Sequence, residues 1–248
     1  MYFLKVSVQP HWGYALRVVP FSKSKPALPV PPPTTLIGAL AYPLNIMLGI
    51  PENNGEVSGA DRYRNLFISV NARIDVPIIK YGDITRVFWY RKEEKTVQSD
   101  AISLEKVYSV SGEGSIDIIY VVDENEAERV VGDLNILKLA AWGISRIGSK
   151  ESIVSVKDVE LRKANLVERD KIETDYYFMG YAKLIKGDLI SFDIVDFREY
   201  VIGDYVNAKK VPLNVPYSMR RQKSEKVWVT IENGKVFTDG VDEVIAYA

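Results

Sequence analysis

Seven of the twelve prolines in this 248-residue chain lie between positions 10 and 33. Proline lacks a backbone N–H and has a fixed φ, so helix interiors and central strands exclude it. The stretch from Pro10 to Pro33 is therefore predicted to be a long extended loop, and such loops in compact domains are often functional. The first acidic residue is Glu52, so this segment has positive potential unless folded neighbours cancel it. The cations that precede Glu52 are Lys5, Arg17, Lys23 and Lys25.

Composition excludes several classes of protein and of site. The chain is 47% apolar and 26% charged, which is ordinary for a globular protein. Its net charge of −1 excludes a globally cationic nucleic-acid binder, so any basic surface must be local. Without cysteine, and with His11 as its one histidine, the chain cannot build thiolate or multi-histidine metal sites.

A carboxylate-only Mg²⁺ site stays open on composition, but the clustered acids occur in polar stretches typical of a solvated surface. We therefore expect no metal and no other cofactor. The longest apolar stretch, residues 36–50, is shorter than the roughly 20 residues of a membrane span. A cytoplasmic protein without membrane contact is predicted.

Two helices are predicted in the first 160 residues. Thr34 is a plausible N-cap for a helix of about four turns, in which Leu36, Leu40, Leu44 and Leu48 recur every fourth residue. The second helix follows the acidic turn 123–126. Its predicted core stripe is Val130, Leu134, Leu137, Ala141 and Ile144.

Around these helices the strand signals define a fold class. Alternation over 66–75 predicts a half-buried strand, and residues 112–114 predict a hairpin turn between strands at 102–110 and 115–122. With strands at 2–8, 85–90 and 152–159, the order is β-α-β-β-α-β with a β-hairpin elaboration. This predicts an α+β protein with a ferredoxin-like, RRM-like domain over 1–164.

Beyond residue 164 the pattern changes to short strands. Strands are predicted at 183–185, 189–194 and 227–231, and Asn233-Gly234 is a typical type I′ hairpin signal. No further amphipathic helix is predicted. We expect a small β-rich C-terminal domain over 165–248.

The turn 143–152 is the first candidate for phosphate contact. Its glycines, serines and cations can present N–H groups, hydroxyls and positive charge, chiefly through Arg146, Ser149 and Lys150. It lacks the Walker spacing and follows a helix, which argues against a nucleoside triphosphate. The alternative interpretation is a glycine C-cap with a polar turn.

The second candidate is a basic cluster near the C-terminus. Residues 205–226 carry about +5, and Tyr205 and Tyr217 are interleaved with the cations. Cations with aromatic faces are typical of a groove for single-stranded nucleic acid. The alternative is a solvated loop balanced by neighbouring acids. The cations are Lys209, Lys210, Arg220, Arg221, Lys223 and Lys226.

Two further features are open to a functional and a structural interpretation. The aromatic segment 86–92 could form the tip of an extended arm, although strand alternation predicts at least one of its aromatic faces in the core or in a subunit interface. His11 could act as a general base, but a lone histidine is more often an ordinary hydrogen-bonding or stacking group.

Residues 31–41, PPPTTLIGALA, and 146–152, RIGSKES, resemble the fifth CRISPR-associated (Cas) protein family of the RAMP superfamily. The resemblance covers residues 1–160 and extends more loosely to the end, where it is most similar to the archaeal type I-A branch. It implies an antiviral Cascade subunit that binds the 5′ handle of CRISPR RNA (crRNA). The implied protein partners are the Cas-seven backbone, which it caps, and the large subunit, near the target DNA.

No catalytic residue is carried over from the family. In its type I-C branch the protein is an endoribonuclease, but His11 does not match that catalytic position. Two alternatives stay open: a metal-independent endoribonuclease using His11, and an RNA-independent structural adaptor. The residues predicted to line the RNA path are Arg17, Lys23, Lys25, Arg146, Ser149, Lys150, Arg220, Arg221 and Lys223.

Overall fold

A computed structural model describes residues 1–16, 24–25, 27–54, 57–75, 77–109, 114–198 and 207–247. The protein is mixed α/β and strands predominate, in agreement with the predicted class. The helices are α1 (Pro33–Leu48), a 3₁₀ helix (Gly59–Leu66), α2 (Glu124–Val131) and α3 (Leu134–Trp142).

The strands fall into a longer N-terminal set and a shorter C-terminal set. The first set is β1 (Tyr2–Pro10), β2 (Gly13–Tyr14), β3 (Ser24–Lys25), β4 (Asn53–Asn54), β5 (Val57–Ser58), β6 (Phe67–Ile74), β7 (Ile78–Arg91), β8 (Thr96–Ser109), β9 (Ile116–Val122) and β10 (Val154–Lys163). The second set is β11 (Asn165–Val167), β12 (Lys171–Thr174), β13 (Phe178–Met179), β14 (Tyr181–Lys186), β15 (Leu189–Val195), β16 (Lys210–Pro216), β17 (Val227–Glu232), β18 (Gly234–Thr238) and β19 (Glu243–Tyr247).

The central sheet has the order β10-β1-β9-β6, and every neighbouring pair is antiparallel. Helices α1 and α3 pack on one of its faces. The leucine stripe of α1 is confirmed, because Leu36, Leu40 and Leu44 are fully buried and Leu48 is partly buried. This face forms the main core of the protein.

Strand β6 corrects the prediction of a half-buried strand at 66–75. Both of its faces are buried, because β18, β19 and the segment around Tyr176 cover the second face of the sheet. Asn71 is 1% exposed and donates through Nδ2 to the carbonyls of Tyr177 and Ile245, at 2.9 Å each. A register shift between Phe67 and Ser69 moves Ile68 to this second face.

Both predicted helices have different boundaries in the structure. Helix α1 begins at Pro33 with Pro32 as its N-cap, so Thr34 lies inside the helix. The single helix predicted after 123–126 is two helices, because Gly132 has a φ of 81° and Asp133 starts a new N-cap. Of the predicted stripe, Leu137, Ala141 and Ile144 are buried, and Val130 and Leu134 are partly buried.

The two predicted hairpins were wrong. Strand β8 pairs with β7 along its whole length, from Ile78 opposite Ser109 to Arg91 opposite Thr96, whereas β9 lies in the central sheet. Asn233 has a φ of 56°, but β17 pairs with β12 and β14, and β18 pairs with β11 and β19. At Asn233 the chain passes from one sheet to another.

The C-terminal part consists of three small sheets, β11-β18-β19, β12-β17-β14 and β13-β16-β15. The strands predicted at 183–185, 189–194 and 227–231 are confirmed as parts of β14, β15 and β17. Tyr177, Leu213 and Val215 belong to the same core cluster as Leu4 of β1. The domain division at 164/165 stays a prediction. Among the described residues, no helix has the length and apolar character needed to cross a membrane.

Candidate nucleic-acid interface

The end of the proline-rich segment is fixed against the core. The hydroxyl of Tyr14 donates to the carbonyl of Pro29, and the hydroxyl of Tyr177 donates to the carbonyl of Pro31 at 2.9 Å. The N–H of Leu28 donates to the carbonyl of Leu16 at 2.8 Å. These bonds hold the entry to α1 in one position.

The loop 143–152 lies directly against this end of α1. Gly148 has a φ of 91°, and a Cβ there would lie 2.7 Å from Leu16 Cδ2 and 3.7 Å from Thr35 Cγ2. Only a glycine meets both the backbone conformation and the close approach. The two segments 31–41 and 146–152 are more than 100 positions apart in sequence and adjacent in space.

Arg146 joins the loop to α1 by its side chain. Its guanidinium carbon lies 5.2 Å from the ring centre of Tyr42, and its Nη2 lies 3.9 Å from Glu52 Oε1. Arg146 is 41% exposed and Glu52 63% exposed, so water screens this ion pair and a competing anion has access to Arg146. A cavity of about 290 Å³ between the loop and α1 is lined by Arg146, Tyr42, Thr35, Gly38 and Ser145 among others.

Ser149 and Lys150 lie at the tip of the same loop. The Ser149 and Ser152 hydroxyl oxygens are 2.8 Å apart. The Glu151 backbone N–H and the Ser149 hydroxyl hydrogen-bond the exposed Glu151 carboxylate and lower its pKa, and the charges of Lys106 and Lys150 contribute in the same direction. Lys150 is exposed and forms no ion pair with any described residue.

His11 is held between two neighbours. Its backbone N–H donates to the carbonyl of Ile153 at 3.1 Å, and its Nε2 lies 2.6 Å from Ser155 Oγ. The side chain is exposed. These contacts join His11, just after β1, to Ile153 and to Ser155 at the start of β10.

Three of the six cations in the C-terminal basic cluster form ion pairs with acids. Ion pairs join Arg221 to Glu225 at 2.9 Å, Lys223 to Asp75 at 2.8 Å and Lys226 to Glu173 at 3.2 Å. Tyr217 is 5% exposed, so its ring is not available for stacking, and Tyr205 lies outside the described residues. Arg220 is exposed and forms no ion pair within the described part of the chain.

Three predicted RNA-path residues come from the proline-rich loop. Arg17 and Lys23 lie outside the described residues. Lys25 lies in β3, whose backbone pairs in parallel with β8 at Leu104. The cluster that the structure does bring together is therefore Arg146, Ser149 and Lys150 beside α1, and Arg220, Arg221 and Lys223 lie in a separate turn after β16.

The β7–β8 hairpin forms a long arm with apolar side chains on both faces. Phe88 is 64% exposed and Tyr90 59% exposed on one face, and Trp89 is 39% exposed on the other. The prediction for this segment was that at least one aromatic face lies in the core or in a subunit interface, and none of these three side chains is buried in the core of this chain. A subunit interface is the part of that prediction that stays open, because exposed apolar patches of this kind mark interaction sites.

Sequence reasoning missed the residues that complete the site. Tyr42, Glu52 and Lys106 become neighbours of the loop 143–152 only through the fold. Tyr42 lies outside the leucine stripe of α1. Sequence spacing could therefore have predicted that Tyr42 is exposed, at 36%, but nothing else about its place in the site. Among the described residues, no group of three or more His, Asp or Glu side chains could hold a metal ion.

Comparisons with known proteins relate this chain to CRISPR-associated proteins. No family model matches the chain. Two curated proteins of Saccharolobus solfataricus, named CRISPR system aCascade subunit Cas5 1 and CRISPR-associated protein Cas5 3, are each 32% identical to it over 192 residues, which is 75% of either chain. The crystal structure of a CRISPR protein from Archaeoglobus fulgidus shares its fold, with a TM-score of 0.67 and 23% identity over 100% of both chains.

The two curated relatives match three quarters of the chain at an identity that establishes common ancestry. Both are named Cas5, in agreement with the resemblance carried by residues 31–41 and 146–152. The chain belongs to the Cas5 family of CRISPR-associated proteins.

Proposed function

We propose that this protein is a non-catalytic subunit of a type I-A-like Cascade complex that binds the 5′ handle of crRNA and caps the Cas7 backbone. The observation that carries the proposal is the contact between the loop 143–152 and α1, from Gly148 to Thr35 near the start of the helix and from Arg146 to Tyr42 further along it. One relative is named a subunit of aCascade, which supports membership in such an assembly. The expected setting is antiviral defence in an archaeal cytoplasm.

The proposal includes a ferredoxin-like arrangement for the N-terminal part. The strand order β10-β1-β9-β6 is fourth-first-third-second in the β-α-β-β-α-β series, with all neighbours antiparallel. Helix α1 connects the first and second strands of this series, and α2 with α3 connects the third and fourth. The β7–β8 arm is inserted between the second and third strands.

RNA would be held mainly through its phosphates. Arg146 and Lys150 supply positive charge, and the Ser149 hydroxyl supplies a hydrogen-bond donor on the same loop. An incoming phosphate competes with Glu52 for Arg146 at a pair that is only 3.9 Å apart and exposed. Contacts of this kind fix the position of the strand and leave sequence selection to the bases.

The arm supplies a surface for protein partners. Its apolar side chains are exposed on both faces, and burying them against the Cas7 backbone or the large subunit would remove that area from water. A subunit that lies between neighbours is the setting in which a two-sided apolar hairpin is stable. Target DNA within the complex is a further expected partner.

Selective binding of the handle is the direct test. We expect the protein to bind a cognate crRNA more tightly than the same RNA without its handle, in a gel-shift or filter-binding titration. The double variant Arg146→Glu, Lys150→Glu should weaken binding and flatten its dependence on salt. Lys235→Glu, on the exposed side of β18, is the matched control and should bind as the wild type does. Equal affinity for both RNAs would contradict the proposal.

The two alternatives are separated by simple measurements. Cleavage of repeat RNA by the purified protein in EDTA would favour the endoribonuclease, and its loss in His11→Ala would assign the reaction to His11. Complexes with partner subunits that keep their strength after RNA is digested would favour the adaptor. We expect neither result.

A further inference from the structure

A second groove, of about 650 Å³, lies where the turn after β1, strand β8 of the arm and the loop 143–152 meet. Trp12, Tyr108 and Ile153 form its apolar wall, and Lys106, Ser149 and Glu151 line its polar side. This volume lies within the range of sites that take small ligands, and the groove combines an aromatic wall with polar groups as such sites do. Trp12 lies outside the set of residues proposed to contact the RNA phosphates.

Trp12 is presented on a fixed backbone. Its carbonyl accepts the N–H of Ser109 at 3.1 Å, and the preceding N–H, of His11, donates to the carbonyl of Ile153 at 3.1 Å. Gly13 pairs with Tyr108, and a Cβ at Gly13 would lie 1.9 Å from the carbonyl oxygen of Val107. Gly13 therefore lets the turn approach β8 more closely than any other residue would allow.

The side chain of Trp12 is nonetheless 69% exposed, and that of Ile153 is 51% exposed. A large aromatic carried at this exposure by a fixed turn presents a ring face to solvent, and its backbone does not have to be ordered on binding. Unstacked nucleobases are bound on faces of this kind, because every base has a π-face.

The charges beside the groove suit the rest of a nucleotide. Lys106 lines the groove, and Lys150 lies in the chain between Ser149 and Glu151, which line it as well. The charges of both lysines lower the pKa of the Glu151 carboxylate. Two cations against one acid leave a net positive charge beside the ring. A purely apolar ligand would leave this excess positive charge unbalanced, whereas the phosphates that flank a base would balance it.

We propose that Trp12 is the stacking platform for one unpaired base of the bound RNA, with the flanking phosphates at Lys106 and Lys150. This inference rests on the proposed function and deepens it, since it assigns one nucleotide of the handle to one groove. The ligand is single-stranded, because bases in an A-form duplex are stacked on each other and offer no free face.

The test combines variants of Trp12 with RNA that lacks single bases. Wild type, Trp12→Ala, Trp12→Phe and Trp228→Ala are titrated with handle RNA and with a series in which each handle position in turn is abasic. We expect Trp12→Ala to bind about ten-fold more weakly, Trp12→Phe to recover most of that loss, and Trp228→Ala, at an exposed tryptophan of β17, to bind normally. At one handle position, removal of the base should lower the RNA affinity of the wild type about ten-fold and leave the affinity of Trp12→Ala unchanged.

Fluorescence gives a second readout that does not need Trp12→Ala to fold. Stacking should quench the emission of Trp12 when handle RNA binds, and Trp12→Phe should lose that part of the quenching.

The two proposals fail in different ways. If the wild type binds the handle selectively but Trp12→Ala binds handle RNA and every abasic RNA as tightly as the wild type does, the stacking platform is overturned and handle binding stands. The same follows if Trp12→Phe shows the full fluorescence quenching. If the wild type binds RNA with and without the handle equally, the proposed function itself is overturned.

Discussion

At the scale of single residues, the second face of the central sheet is joined to the C-terminal strands by buried charge. Asp242 is 6% exposed, and its Oδ2 lies 2.7 Å from Lys5 Nζ and 2.8 Å from Arg162 Nη2. Its Oδ1 accepts a hydrogen bond from the Tyr176 hydroxyl, with 3.0 Å between the two oxygens. The carboxylate thus connects β1 and β10 to the chain before β13 and to the turn before β19.

Replacing Asp242 by Asn should destabilise the fold by about 3 kcal/mol, because Lys5 would lose its buried counter-charge and Arg162 would lose one of its carboxylate partners, keeping Asp239 and Glu160. Urea unfolding at pH 7 measures the change. The control is Asp75→Asn, which breaks the exposed pair with Lys223 and should cost about 0.5 kcal/mol or less. Equal effects of the two substitutions would contradict the role of Asp242.

The same site predicts the dependence of stability on pH. Burial on its own raises the pKa of Asp242, but the hydrogen bond and charge of Lys5, with Tyr176 and Arg73, outweigh it and hold the pKa below its ordinary value. The stabilisation is therefore complete above the unfolded-state pKa of about 3.9 and is lost as the pH falls through the lower folded-state pKa. The difference in unfolding free energy between wild type and Asp242→Asn should be constant from pH 7 to 5 and shrink below about pH 4.

At the scale of elements, two glycines in helical segments should respond in opposite directions. Gly38 lies inside α1, and a Cβ there would meet no atom within 4 Å, so Gly38→Ala should stabilise by about 0.5–1 kcal/mol. Gly132 ends α2 with a φ of 81° and equally open space, so Gly132→Ala should destabilise by about 1 kcal/mol through backbone strain alone. Thermal unfolding of both variants checks the pair. A stabilising Gly132→Ala would mean that α2 and α3 can join into the single helix that the sequence pattern predicts.

The helices and strands differ in how far the sequence alone predicts them. The leucine stripe of α1 depends on neighbours four positions apart, and it was predicted correctly. The hairpin at Asn233-Gly234 depends on which strands pair, and β17 and β18 find their partners in different sheets. Likewise, nothing local to 66–75 indicates that strands some 170 residues later cover its polar face at Asn71. The sequence therefore predicts features that depend on local periodicity, but it does not predict which distant segments pair with each other.

The residues of the candidate site divide in the same way, into those close together in sequence and those brought together by the fold. Arg146, Ser149 and Lys150 could be singled out from composition, because a short loop holds them together. The acids that pair with cations of the C-terminal cluster, such as Asp75 and Glu173, are far away in sequence and could not. Tyr42 and Glu52 are likewise far from Arg146 in sequence, and only the fold brings them into contact with it.

At the scale of the whole molecule, the arm should matter for assembly and not for folding. The side chains at its far end are exposed on both faces, and replacing Phe88 and Tyr90 by serine removes apolar area that the folded chain leaves mostly exposed. The unfolding free energy should change by less than about 0.5 kcal/mol. Association with partner subunits, measured by size-exclusion chromatography of the reconstituted complex, should weaken. A large loss of stability would show instead that the arm packs on its own chain.

The net charge of −1 leads to a prediction about salt. A neutral chain that binds RNA through a few local cations releases few counterions, so affinity should fall only gently with ionic strength. Among the described residues, Arg146 lines the cavity beside α1, Lys106 lines the second groove, and Lys150 lies on the loop 143–152. Three phosphate contacts with a single strand give a slope of log K against log salt of about −2. Titrations of the wild type from 50 to 300 mM salt would measure it, and Arg146→Glu, Lys150→Glu should bring the slope to about −0.7. A slope steeper than about −5 would mean that many more cations face the RNA than these loops provide, and that the C-terminal cluster exchanges its carboxylate partners for phosphates.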